Sequence, residues 1–323
     1  MASFFNQSEF FTRDSGYYVL EADKMEHTMK GEHSNNPRVT VIIPCYNDGK
    51  YIDDAINSIL NQTYHDFQII VVDDGSTDAY TIDKLNNLKY PKTRVLYKTN
   101  GGVSSARNFG AKQSDSEYLV FLDADDFFDN TYLEKGVKIL DNYPEVGGIS
   151  NYTRYFYEEN PDKITDYYRP KGGGIENFLL ENNGCSNTLI RYKCWVDAGG
   201  YDENLLSHED WDFWIKITKK GWLVYTIPEV LGNYRITKKS KYLKFKNKRI
   251  ELLRKIIENN EDIYKEHVVE CLYEKEKQIQ YLKDQVTIAR NEVKKSRPYR
   301  IGMYILYPFR LIKLAFKKIM HKE

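Results

Sequence analysis

Three short acidic runs carry the residue types and spacing from which chemistry could be built. In YLVFLDADD, Tyr118 to Asp126, five mostly apolar residues lead straight into Asp123, Asp125 and Asp126, with only Ala124 between them. Carboxylates this close repel and raise one another's pKa, and a divalent cation among them relieves the repulsion. The same residues also suit a solvated loop whose aspartates cap the next helix. A second run, Asp73, Asp74, Gly75 and Ser76, follows the apolar stretch FQIIVV. The third is Glu209 and Asp210 within HEDWDFW, where a helix start would hold the carboxylates ionised. Simple helix-start chemistry is the other reading of that pair.

The elements around these runs alternate between strand and helix. VTVIIP from Val39 is a β-branched stretch of the kind buried on both faces, stopped by Pro44. Ile52, Ala55, Ile56, Ile59 and Leu60 then recur at helical spacing over 51 to 62. The strand at Phe67, a helix over 81 to 88, a strand at 94 to 97, a helix over 104 to 113, the strand at Tyr118 and a helix over 131 to 143 follow. Short connections between them predict an α/β fold with a parallel, doubly wound sheet. Ligands then bind beyond the carboxyl ends of the strands, where Cys45 to Asp48, Asp73 to Ser76 and Asp123 to Asp126 would converge. No GxGxxG follows the first strand and no Walker loop is present, which disfavours a dinucleotide oxidoreductase and a P-loop enzyme.

Further along, residues 151 to 174 lack a clear period and read as a loop over the site. The pattern sharpens at 187 to 192, in a helix from His208 with Trp211, Trp214, Ile215 and Thr218 on one face and Gly221 as C-cap, and in a strand over 223 to 227. A helix with Ile250, Leu253, Ile256 and Ile257 inward comes next. Leu272, Ile279, Val286 and Val293 then repeat every seven residues, with Val268, Leu282 and Ala289 in partner positions and Lys275 interrupting, so a self-associating coiled coil is expected. A solvated helix is the alternative. After Pro308, Phe309, Ile312, Phe316, Ile319 and Met320 oppose Arg310, Lys313, Lys317 and His321, the pattern of a helix on an anionic lipid surface. A basic partner-binding helix is the duller reading of that end.

The expected organisation is an extension over 1–37, a catalytic domain over 38–240, a helical and coiled-coil region over 241–298 and a basic amphipathic tail over 299–323. The chain of 323 residues has 47 Lys and Arg against 47 Asp and Glu. A formal net charge of zero gives no reason to expect a nucleic-acid partner. The scattered Cys45, Cys185, Cys194 and Cys271 suit reduced thiols in a cytoplasmic setting. The N-terminal residues lack the apolar core of a signal peptide, and no stretch is long and apolar enough to span a membrane.

VTVIIPCYND (39 to 48), FQIIVVDDGSTD (67 to 78), NGGVSSARNFG (100 to 110), YLVFLDADD and HEDWDFW, taken in this order, resemble the inverting glycosyltransferases of family 2, which have the Rossmann-like GT-A fold. The resemblance covers about two hundred central residues. It implies a nucleotide-sugar donor, a UDP-sugar first among the candidates, and an acceptor hydroxyl. It places Asp74 on the donor base, Pro44 and Tyr46 around the nucleoside, Asp123 near the ribose and Arg107 on the donor side. Asp125 would hold Mn2+ or Mg2+ bridging the diphosphate, and Asp210 would be the base, with Glu209 beside it. Thr237 stands where many relatives have a metal-binding histidine, and His208 could substitute or serve the acceptor. The expected acceptor is a saccharide, lipid-linked, in surface-polysaccharide synthesis at the inner face of the cell membrane. A non-catalytic scaffold acting through the coiled coil is the competing class, against which Asp123, Asp125 and Asp210 together argue.

Overall fold

The computed structural model describes residues 11–14, 17–20, 36–237, 248–301 and 306. The chain divides into two compact units, Met1–Lys265 and Glu266–Glu323. Two short strands, β1 (Phe11–Asp14) and β2 (Tyr17–Leu20), form an antiparallel ribbon. The main sheet opens with β3 (Val39–Cys45), buried along its whole length as its β-branched run requires. Then come α1 (Ile52–Leu60), β4 (Phe67–Asp73), α2 (Ala79–Asn86), β5 (Thr93–Tyr97), α3 (Val103–Ala111) and β6 (Tyr118–Phe121). Ile52, Ala55, Ile56 and Ile59 of α1 are buried, each branched side chain contributing about 1.5–3 kcal/mol. α2 starts where the Asp78 carboxylate accepts the Thr81 amide at 2.9 Å, satisfying one of its orphan donors.

Beyond β6 lie β7 (Phe127–Phe128), α4 (Tyr132–Asn142), β8 (Val146–Tyr157), β9 (Asn160–Tyr168), β10 (Thr188–Arg191), α5 (Tyr192–Asp197), α6 (Glu209–Thr218) and β11 (Leu223–Ile236). The strand order is β5-β4-β3-β6-β10-β8-β11-β7, with β9 on β8. The sheet departs from the all-parallel expectation. β5, β4, β3 and β6 are parallel, but β10 runs antiparallel to both β6 and β8. Strands buried on both faces read as the same apolar run whichever way they point.

Residues 151 to 174 are a second correction, since most of the expected loop is the β8–β9 hairpin. Register shifts at Tyr155/Phe156 and Phe156/Tyr157 break the period-two alternation that would have marked the strands. β11 likewise runs on past Ile227 to Ile236, with register shifts around Pro228 and Glu229. It brings Tyr234 and Arg235 alongside β8.

After β11, α7 (Arg249–Asn259) buries Ile256 as expected, but its other buried residue is Leu252, whereas Ile250 is 86% exposed and Ile257 is also exposed. The short α8 (Glu261–Glu266) follows. Asn260, fully buried between them, donates to the Asp212 carboxylate of α6 at 2.8 Å and to the Ile256 carbonyl at 3.0 Å. Lys219 at the end of α6 pairs with Asp262 at 2.7 Å. In the second unit, α9 (Val268–Lys295) is one continuous helix with no buried residue, and Leu272, Ile279, Val286 and Val293 lie exposed along it. The amphipathic pattern expected after Pro308 lies outside the described residues, as does most of the extension over 1–37. Among the described residues no helix is long and apolar enough to cross a membrane.

Candidate active site

Because β3, β4 and β6 are parallel, their carboxyl ends open on one edge of the sheet, and the motif residues collect there. Pro44 and Cys45 end β3 inside the core, and the next side chain, Tyr46, is 44% exposed at the rim. Asn47, in the left-handed region at φ 58°, ties this end to the loop after β4. Its amide donates to Ser76 Oγ at 3.0 Å, and its side-chain oxygen accepts the amides of Thr77 and Asp78. Asn tolerates that backbone better than most residues, which explains its place in the turn.

Asp74 sits at the end of β4, 2% exposed. Its Oδ1 accepts Lys98 Nζ at 2.6 Å and the Gly101 amide at 3.0 Å, and its Oδ2 accepts the Gly102 amide at 2.7 Å. An ionised carboxylate accepts about four hydrogen bonds, so one acceptor position remains on Oδ2. Gly102, at φ +87°, lets the chain turn so that both amides face this carboxylate before α3 begins.

Arg107 projects from α3 and is 1% exposed. Its Nη2 lies 2.6 Å from Asp123 Oδ1 and its Nη1 3.1 Å from Glu209 Oε1, while its guanidinium lies 5.2 Å from the Tyr201 ring centroid. Burial opposes its charge, and Asp123, Tyr201 and Glu209 outweigh that, leaving the guanidinium firmly protonated. Two of the three acidic runs are therefore joined by one buried cation.

The three aspartates after β6 have separate surroundings. Asp123 accepts Arg107, and its own amide donates to Asn187 Oδ1 at 2.9 Å. Asp126 is 1% exposed and structurally committed: Oδ1 accepts the Arg235 amide at 2.9 Å and Oδ2 accepts Asn187 Nδ2 at 2.6 Å. Burial, then Asp125 and Asp123, raise its carboxyl well above the usual range. For Asp125, burial and then the charges of Asp123 and Asp48 push the carboxyl up to about 7, against Arg235. Arg235 spans this corner, donating through Nε to the Asp125 carbonyl at 2.9 Å and pairing with Asp54 at 2.7 Å, its guanidinium 4.9 Å from the Tyr51 ring centroid.

Among the described residues no three His, Cys, Asp or Glu side chains are grouped to enclose a metal. A small hard cation such as Mg2+ needs no such cage, since one or two carboxylates and substrate phosphates serve it. Asp125 fits that requirement: its raised carboxyl is what a cation would relieve. Thr237, just past β11, is 7% exposed and has a hydroxyl where an imidazole would be.

On the other side of Arg107, α6 begins at Glu209 after His208, whose φ of 60° places the helix start in a sharp left-handed turn. His208 reaches Ser207 Oγ at 3.1 Å. Glu209 is buried against Arg107, and Asp210 on the same first turn faces a cleft of about 520 Å3. Tyr155, Tyr168, Trp211, Tyr234, Asn182 and His208 also line it. Asp210 Oδ2 accepts Asn182 Nδ2 at 2.7 Å. Burial and Glu209 raise the Asp210 carboxyl above the usual range, while Asn182, His208 and Arg107 hold it down.

Of the residues singled out in the sequence, Asp210 and His208 line this cleft, while Pro44, Asp74, Asp123 and Asp125 lie at or just past the strand ends and Arg107 links Asp123 to Glu209 at the head of α6. The sequence reading missed Asn187, Arg235, Lys98 and Asn182. Asn187 and Asn182 carry no motif, and Arg235 acts through its backbone amide as well as its guanidinium, the first of which sequence patterns cannot show. Lys98 alone left a signal, a lone cation just before the NGGVSSAR run.

The model for Glycosyl transferase family 2 matches residues 40–194, and that for Glycosyltransferase like family 2 matches 163–296. An uncharacterized glycosyltransferase of Haemophilus influenzae is 36% identical over 198 residues, 58% of this chain and 74% of its own length. One from Rickettsia bellii is 34% identical over 191 residues, 56% of this chain but only 27% of that protein's length. Among solved structures, S. aureus TarS 1-349 in complex with UDP-GlcNAc superposes with a TM-score of 0.54 at 22% identity, covering 69% of this chain and 65% of that one. The Pyrobaculum calidifontis mannosyltransferase PcManGT in complex with GDP-Man and Mn2+ gives 0.52 at 19% identity, covering 90% and 89%. The mixed sheet is that of these Rossmann-like GT-A proteins, and the chain belongs to glycosyl transferase family 2.

Proposed function

We propose that this chain is an inverting glycosyltransferase that moves a sugar from a nucleotide-sugar donor to an acceptor hydroxyl. The observation that carries the proposal is the position of Asp210, on the first turn of α6 and facing the cleft, with Glu209 beside it joined through Arg107 to Asp123. The donor would lie over Pro44, Tyr46, Asp74 and Asp123, and the acceptor would enter beside Tyr155, Tyr168, Trp211 and Tyr234. That TarS and PcManGT were solved with UDP-GlcNAc and GDP-Man supports a nucleotide-sugar donor and leaves the base open.

In the step proposed, Asp210 takes the proton of the acceptor hydroxyl as its oxygen bonds to the anomeric carbon. The bond from that carbon to the diphosphate breaks on the opposite face, so configuration inverts. A correctly placed base contributes on the order of 10²–10⁴ in rate. Asp125 would hold a divalent cation, Mn2+ or Mg2+, which when bound supplies charge neutralisation to the leaving diphosphate. Arg107 keeps Asp123 and Glu209 fixed without entering the reaction.

The proposal extends to the C-terminal region. The apolar stripe of α9 would pair with a second copy of the chain, and residues 299–323 would lie on the inner, anionic face of a membrane. A lipid-linked saccharide, as in surface-polysaccharide assembly, is the acceptor that location favours.

The test is donor hydrolysis and transfer with UDP-, GDP- and dTDP-sugars and Mn2+ or Mg2+, comparing the wild type with Asp210→Asn. Metal-dependent turnover of one donor, lost in Asp210→Asn while donor binding persists, supports the reading. Failure of every donor to bind or turn over in the presence of lipid-linked acceptors sinks it.

A further inference from the structure

The amide of Asn182 has a fixed orientation. Its Oδ1 accepts the Gly184 amide at 3.2 Å, so its NH2 must point the other way, toward Asp210 Oδ2 at 2.7 Å. The backbone of this loop is held as well, because the Tyr168 hydroxyl reaches the carbonyl oxygens of Asn182 and Gly184. Tyr168 is the last residue of β9, and β9 is anchored to β8. A chain of contacts thus runs from the β8–β9 hairpin through Tyr168 and Asn182 to Asp210.

From this geometry we infer that Asn182 is the positioning residue for Asp210: it occupies Oδ2, turns Oδ1 toward the acceptor cleft and favours the ionised carboxylate. The inference rests on Asp210 being the base proposed above. An acceptor hydroxyl then meets one oxygen whose second partner is already supplied, and no rotamer change is needed before proton transfer.

Several other groups bear on this carboxyl. Glu209 and His208 flank it on its own turn, and Arg107 acts from α3. Tyr155 and Tyr168 act from the hairpin, and Cys185 and Tyr201 from the adjoining loops. Among the described residues it is Asn182 that donates a side-chain hydrogen bond to Asp210.

The test uses the full chain labelled with [γ-13C]aspartate, with the Asp210 resonance assigned by its disappearance in Asp210→Asn. Its titration midpoint is compared between wild type and Asn182→Ala. Loss of a hydrogen bond to a charged group should move the midpoint up by about one pH unit. With a donor that turns over in the panel above, kcat should fall roughly tenfold and the donor KM should hold, with the acid limb of the profile moving up as the resonance does. Tyr168→Phe, which leaves Asn182 in place but frees its loop, should move both readings the same way by less. An unchanged Asp210 midpoint in Asn182→Ala overturns the inference, as does wild-type kcat in that variant. A shifted midpoint in a protein that turns over no donor keeps the positioning contact and rejects the catalytic reading instead.

Discussion

Nη2 of Arg107 lies 2.6 Å from Oδ1 of Asp123, joining the middle of α3 to the end of β6 in a region where the arginine is 1% exposed. Removing one member of a buried pair leaves the other charge without compensation. Arg107→Met should therefore cost about 3–5 kcal/mol in urea denaturation, because it removes the buried cation that Asp123 and Glu209 share. Arg107→Lys should recover only part of this, since an ammonium cannot reproduce two fork contacts. Wild-type stability in Arg107→Met would remove the pair from any structural role.

Asp125 and Asp126 are adjacent, yet they should respond in opposite ways to mutation. Asp125→Ala should abolish divalent-dependent binding of UDP or GDP in calorimetry while melting at or above the wild-type temperature, because a raised, crowded carboxyl is lost. Asp126→Ala should instead lower stability by about 1–3 kcal/mol, because it orphans the Arg235 amide and Asn187. Equal loss of metal dependence in both variants would contradict this division.

The raised Asp210 carboxyl sets the sign of the pH dependence. Turnover requires the ionised form, so activity should fall with falling pH along a limb above the ordinary aspartate range of about 4. Stability runs the other way. The folded state holds this proton more tightly than the unfolded chain, so the favourable contribution is full at low pH and is lost as pH rises through the raised value. The first dependence is read as wild-type kcat against pH, and Asp210→Asn should flatten the second, measured as urea midpoints across the same range.

Much of this site was legible because its chemistry lies in contiguous runs. Asp123 and Asp125 follow a strand whose apolar residues announce it, and Asp210 follows His208 at a helix start that the tryptophans mark. Asn182 and Tyr168 were hidden because their role depends on a hairpin whose bulges erase the alternation of a strand. The antiparallel β10 was hidden for another reason, since Thr188 to Arg191 would read the same in either direction. On α7 the expected Ile256 is buried but Leu252 takes the inward place read for Ile250, and the buried Asn260, which bonds Asp212 and Ile256, carried no apolar signal.

That asparagine gives a prediction of its own. Asn260→Ala should cost about 1–3 kcal/mol by leaving Asp212 short of a donor at full burial. Differential scanning calorimetry reads the loss, and an unchanged melting temperature would show the contact to be dispensable.

The exposed stripe on α9 should be tested by mass. Ile279→Asp with Val286→Asp places charges at two of its repeating apolar positions, and sedimentation equilibrium should then report a monomer where the wild type self-associates. A monomeric wild type would dismiss the coiled coil.

The bond from the Arg235 amide to Asp126 spans 109 residues of sequence. A ribosome-bound chain that has emerged only as far as β10 already contains Asp123, Asp125 and Asp126, but not the strand that carries Arg235. Until β11 docks, these carboxylates lack both the amide that accommodates Asp126 and the nearby guanidinium. The acidic corner is therefore completed late in folding, by a contact of high sequence separation, and a truncated product of this gene would bear the motif without the pocket that gives it meaning.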